Sequence, residues 1–101
     1  PNIYYTTYVQ MQYLNKWDNG NWLADVTGPW SGERASWCNG PLVVDPNQPN
    51  TLLVGTYRVW RTTDSGASWV CISEDLTNGG VLRAIAVAQG DSNTIYTGSS
   101  D

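Results

Sequence analysis

The apolar positions of this chain fall in short runs, not long stripes. Leu42–Val44, Thr51–Thr56, Val59–Thr62 and Ser68–Ile72 are brief, rich in β-branched and aromatic residues, and separated by Gly, Asn, Asp, Ser and Pro. That pattern predicts strands. The linker Asp45-Pro46-Asn47-Gln48-Pro49-Asn50 holds two prolines and two asparagines, so it is neither strand nor helix. Asp64-Ser65-Gly66 reads as a turn. The four runs therefore predict a four-stranded antiparallel meander. Upstream, the pattern predicts strands at Asn2–Thr7, Met11–Asn15 and Asn21–Val26, with a turn at Asp18-Asn19-Gly20. Downstream it predicts two more, Arg83–Ala88 and Thr94–Gly98. The fold class expected is all-β, with strands grouped three, four and two.

The groups repeat. Asn50-Thr51-Leu52-Leu53-Val54-Gly55-Thr56 returns as Asn93-Thr94-Ile95-Tyr96-Thr97-Gly98-Ser99, an offset of 43 residues from Leu52 to Ile95. Leu42-Val43-Val44 returns as Ile85-Ala86-Val87 at the same offset. A weaker copy, Pro1-Asn2-Ile3-Tyr4-Tyr5-Thr6-Thr7, lies 49 residues before Leu52, counted from Ile3. A period of about 40–50 residues marks repeat architectures such as propeller blades. The chain divides into an incomplete unit with its crossing loop (1–39), a complete unit (40–73), and a loop with the start of a third (74–101). A four-stranded unit with two apolar faces needs a neighbour on each. The expectation is a slice of a longer chain, or alternatively a subunit that assembles with copies of itself.

Composition narrows the chemistry. The 101 residues, 11.1 kDa, suffice for one small domain. Only 14% of residues are charged and the net charge is −4, so a nucleic-acid backbone is not an expected partner. Six Trp and six Tyr argue against disorder, and the low charge suits an extracellular or cell-surface protein. Histidine is absent, which excludes a His-based triad or His metal ligand within the chain. No metal or other cofactor is expected. No apolar run approaches the about 18 residues of a membrane helix. No signal peptide opens the sequence, so any targeting segment has been removed or lies outside it. Cys38 and Cys71 allow one disulfide, or two buried free thiols.

The most informative motif is Thr62-Thr63-Asp64-Ser65-Gly66-Ala67-Ser68-Trp69, which fits S/T-x-D-x-G-x-x-W. Asp64 is placed to accept backbone N–H bonds of its own turn, and Gly66 to take positive φ. Thr62 can bond locally, and Trp69 can fold over the turn. A tighter copy, Asp18-Asn19-Gly20-Asn21-Trp22, has Lys16 at the Ser/Thr position. On these residues the chain resembles the Asp-box (BNR) repeat family of β-propellers, which includes sialidases, xyloglucan-active glycoside hydrolases and sortilin-type receptors. The resemblance spans nearly the whole chain and implies propeller blades. It also implies that Thr62, Asp64, Gly66, Trp69, Asp18, Gly20 and Trp22 are structural.

A meander fixes which loops share an end. The Asp45–Asn50 linker and the Asp64 turn share one; Tyr8–Gln10, Tyr57-Arg58, Thr27–Asn39 and Glu74–Val81 share the other. The resemblance places binding sites at that second end. The long Thr27–Asn39 crossing carries Trp30, Glu33, Arg34 and Trp37. Trp faces stack on sugars, and Arg and Glu bond hydroxyls or carboxylates. Alternatively Trp30 and Trp37 pack between units, and Glu33 and Arg34 form a solvated neighbouring pair. Arg83 is either a carboxylate-binding arginine of the kind the resemblance implies or a structural donor. With no Phe, the Phe-Arg-Ile-Pro pattern of sialidases is missing, and no Tyr–Glu nucleophile pair can be matched. Glu33, Glu74 and Asp75 are the carboxylates available to a glycosidase, which needs two set about 5–9.5 Å apart.

The leading expectation is a non-catalytic binding or scaffold segment whose partners are neighbouring blades and possible glycans. The alternatives are part of a glycoside hydrolase with its carboxylates mostly on other blades, and an oligomeric lectin or filament subunit. The lectin requires equivalent loops to match, and Thr27–Asn39 and Glu74–Leu82 do not.

Overall fold

The computed structural model describes residues 3–7, 14–30, 33–35 and 41–99. Among them are nine strands and no helix. β1 (Ile3–Thr6), β2 (Asn15–Asp18) and β3 (Asn21–Asp25) form one sheet. β4 (Leu42–Val44), β5 (Leu52–Gly55), β6 (Val59–Thr62) and β7 (Val70–Cys71) form a second. β8 (Leu82–Ala88) and β9 (Asp91–Ser99) form a third. Every pairing is antiparallel and joins consecutive strands.

Three strands differ from the sequence expectation, each for a local reason. β2 begins at Asn15 and runs on through Asp18; Met11, Gln12 and Tyr13 lie outside the described residues. Asn19 and Gly20 alone make the turn, with φ of 51° and 88°, the doubly positive signature of a tight hairpin. Asp18 is thus a strand residue, paired with Ile3 and with Asn21, and not part of the turn. β7 is shorter than Ser68–Ile72 because Ser68 gives its N–H and hydroxyl to Asp64. β9 starts early, at Asp91, because Gln89 and Gly90 suffice to connect Ala88 to its partner Asp91.

The middle sheet is covered on both faces, and its alternation decides which side chain goes where. Val54, Trp60 and Leu42 join Leu14, Val26, Trp30 and Ala35 against the first sheet. The intervening Leu53, Val59 and Val43 join Leu82, Ile85, Val87 and Ile95 against the third. A strand buried on both sides must be apolar throughout, and β5 is buried at every position. Gly55 ends β5 where a Cβ would come within 2.6 Å of Pro41 Cγ and 3.1 Å of Ile85 Cδ1. Each fully buried Leu or Val here contributes roughly 1.5–3 kcal/mol.

The two interfaces are not equivalent. Leu42 faces back to the first sheet, and Ile85, its counterpart 43 residues on, faces back to the second. The first sheet breaks this rule. Tyr5, the counterpart of Val54, faces forward and packs in the same cluster as Val54. Like face meets like at the first interface, unlike faces at the second. The reverse face of the first sheet carries Tyr4 and Trp17, whose rings lie parallel with centroids 6.2 Å apart.

The linker and the Asp64 turn meet at one end, as a meander requires. Ser65 N–H donates to Asn50 O at 3.0 Å. Asn47 reaches the third sheet, donating from Nδ2 to Ala88 O and accepting from Gly90 N–H.

Candidate functional site

At the opposite end three connections converge. They are the crossing from β3 to β4 carrying Glu33 and Arg34, the Thr56–Arg58 turn between β5 and β6, and the 74–80 segment after β7. Glu33 is the hub. Its Oε1 accepts from Thr56 Oγ1 at 2.7 Å and Trp60 Nε1 at 3.1 Å. Its Oε2 accepts from Arg58 Nε at 3.1 Å and from Nη2 as well. The Glu33 side chain is only 11% exposed. Burial pushes its pKa up, but the bonds from Arg58, Thr56 and Trp60 outweigh that and hold it below the usual carboxylate range. The Arg58 pKa is raised, chiefly by its hydrogen bonds to Glu33.

Arg34 forms a second, more open group. It donates from Nε to Gly80 O at 2.9 Å and from Nη2 to Asp75 Oδ2 at 3.0 Å, and both side chains are 43% exposed. Asp75 is held low first by the Thr77 N–H, then by the Thr77 hydroxyl, then by Arg34. The Tyr57 ring ties the groups together, with Arg34 Cζ 4.5 Å and Arg58 Cζ 5.3 Å from its centroid.

Several sequence expectations are corrected here. Glu33 and Arg34 are not a pair; each has its own partner on another connection. Trp30 is not a ligand platform. It is 1% exposed, packed edge-on to Trp69 at 4.8 Å and tilted against Trp60. Trp37 and Cys38 lie outside the described residues. Among the described residues Cys71 is a free thiol whose Sγ donates to Ser73 O at 3.1 Å, and the Cys38 half of the disulfide alternative lies outside them. Arg83 is exposed at an irregularity of the β8–β9 ladder, and among the described residues it has no ion pair. The carboxylates divide: Glu33 and Asp75 are tied, and Glu74 is exposed with no hydrogen-bond partner for its side chain among the described residues. A general acid must keep its proton near neutral pH, and the shifts of Glu33 and Asp75 run the other way.

Sequence reasoning did not single out Thr56, Tyr57, Arg58 or Trp60 as site residues. The meander puts the Tyr57-Arg58 turn at this end, and a half-buried Glu needs a cation. A second signal was also present. Asp25-Val26-Thr27 at the end of β3 and Asp75-Leu76-Thr77 beyond β7 share an Asp-x-Thr pattern. In both, the Asp accepts the Thr N–H and hydroxyl.

At the other end Thr62, Asp64 and Gly66 show the expected mechanics of the turn, while Trp69 packs on Trp30 instead of folding over it. Asp64 accepts from Thr62 Oγ1 at 2.6 Å, Ser68 N–H at 2.9 Å and Ser68 Oγ at 2.7 Å. Those bonds, the Thr62 hydroxyl first, lower its pKa to about 2. Thr62 Oγ1 in turn accepts the Gly66 N–H at 3.0 Å. Ser65 and Gly66 both have positive φ, 61° and 97°. Trp69 crosses to the first sheet and donates from Nε1 to Val26 O at 2.9 Å. The copy at Asp18-Gly20-Trp22 is built differently. Trp22 is 57% exposed and donates to Asn15 Oδ1 at 3.1 Å.

No family model matches the chain, and no curated protein or solved structure matches it either. Among the described residues no helix is long and apolar enough to cross a membrane, and no three His, Cys, Asp or Glu side chains gather as metal ligands.

Proposed function

We propose that this chain is a segment of a secreted or cell-surface Asp-box β-propeller, and that it binds or scaffolds without catalysing. The observation that carries the reading is the pairing of the Thr62–Trp69 turn with a four-stranded meander buried on both faces. The second and third sheets meet through unlike faces, the relation that successive blades have. The first sheet, turned over, is joined to the second by Trp69 and Trp30.

The crossing end is the binding surface in this reading. Arg34 and Tyr57 are partly exposed, and hydrogen bonds and ring contact fix them in place. Fixed guanidinium and aromatic groups suit a hydroxyl-rich ligand such as a glycan, because little side-chain freedom is lost on binding. The absence of catalysis is inferred from the tied states of Glu33 and Asp75.

Affinity electrophoresis through gels containing xyloglucan or mucin tests the proposal, with a reducing-sugar assay on the same mixtures. Retarded migration without sugar release is expected, weakened in Arg34→Ala. Release of reducing sugar overturns the non-catalytic reading. Unretarded migration in every gel overturns glycan binding.

A further inference from the structure

At the end carrying the Asp64 turn, the first and second sheets stand apart around a cleft of about 400 Å³. Four of its walls are apolar or aromatic: Ile3, Tyr5, Val44 and Pro49. The remaining lining is polar and includes one charge, the Lys16 ammonium. Lys16 stands on β2 directly opposite Tyr5, so strand alternation turns it toward the second sheet. Among the described residues its ammonium makes no ion pair or hydrogen bond. Asp18 is the next residue along β2 on that side and does not pair with it.

Asn50 supplies the second donor. Its Oδ1 accepts from Ser65 Oγ at 3.1 Å and its backbone carbonyl from Ser65 N–H, which fixes the side chain. The Nδ2 amide protons have no acceptor among the described residues. The cleft therefore offers an ammonium and an amide NH2 above apolar walls, with no acidic residue in its lining.

We propose that this cleft binds a small monocarboxylate with a compact aromatic or branched aliphatic body. The carboxylate takes the charge-assisted bond from Lys16 and the second bond from Asn50. The apolar body fills the space between Ile3, Tyr5, Val44 and Pro49. Clefts of this size with a few convergent polar groups are typical small-molecule sites. The proposal stands apart from the glycan reading, which concerns the opposite end.

The test is an amide-detected NMR titration of the full 101-residue chain with phenylacetate, and with phenylacetamide as its neutral isostere. Saturable shifts at Lys16, Val44 and Asn50 are expected with phenylacetate. Binding should be about tenfold weaker or worse for phenylacetamide and for Lys16→Met, while Lys16→Arg retains it. Equal binding of the two probes, or no saturable shift with phenylacetate at millimolar concentration, overturns the proposal. So does full affinity in a folded Lys16→Met. If that variant does not fold, the comparison of the two probes on the unaltered chain decides.

Discussion

Glu33 and Arg58 lie 25 residues apart in sequence, yet Arg58 donates to both oxygens of the Glu33 carboxylate. Thr56 and Trp60 complete the set around Oε1. The pair pins the long crossing to the middle sheet, and removing either partner leaves the other with broken bonds. Arg58→Ala and Glu33→Ala are each expected to lower the urea midpoint. The double variant should lose less than the sum of the two, which a double-mutant cycle measures. Strict additivity would mean that the pair does not couple in solution.

Acid should unfold the chain from the carboxylates. Asp25, Glu33, Asp64, Asp75 and Asp91 all have folded pKa values below their ordinary ones, Asp64 at about 2. A depressed pKa contributes stability that is full above the unfolded value and lost as pH falls through the folded one. Stability is therefore expected to be level above about pH 5 and to decline from about pH 4 toward pH 2. Asp64→Asn should flatten the lower part of that decline. Urea titrations at stepped pH check both; a decline centred on neutral pH contradicts the assignment.

Trp30→Ala should cost about 3–5 kcal/mol, as expected for a large aromatic deleted from a close-packed core. Glycans that bind the crossing end should leave the environment of Trp30 unchanged, because its ring has no face in solvent. Urea titrations read the first effect, and 19F NMR of the fluorotryptophan-labelled chain, with the Trp30 resonance assigned by its loss in Trp30→Phe, reads the second.

Two glycines with positive φ should respond differently to alanine. At Gly66 a Cβ would come 2.5 Å from Val26 Cβ, whereas at Gly20 nothing lies within 4 Å. Gly20→Ala carries the backbone penalty alone, roughly 1 kcal/mol. Gly66→Ala adds overpacking between sheets of about 1–3 kcal/mol. Thermal melts of the two variants give the ranking, and the reverse order would place Gly66 outside the interface.

The strand runs were legible because a two-sided buried strand leaves an unmistakable apolar block, as in Leu52-Leu53-Val54. The Thr62–Trp69 turn was legible because Thr62, Asp64 and Gly66 each have a local task. β2 was misplaced because Trp17 and Asp18 read as turn flank, when Asn19-Gly20 needs no more than two residues. The ion pairs at the crossing end were not legible. Glu33 bonds Arg58 and Arg34 bonds Asp75 through tertiary approach, and no spacing rule couples those positions. The role of Trp30 was open for the same reason: a tryptophan in a long loop reads alike whether it is buried or stacked on a ligand.

The opposed use of Tyr5 and Val54 gives the stack of sheets a direction. The first contact relates two sheets by an approximate twofold, the second by a step that can be taken again. Another sheet placed beyond the third could dock by repeating that step. A sheet placed before the first would meet the Tyr4 and Trp17 rings, for which neither internal contact supplies a template. The second contact is thus one that a further sheet can copy, and the first is not.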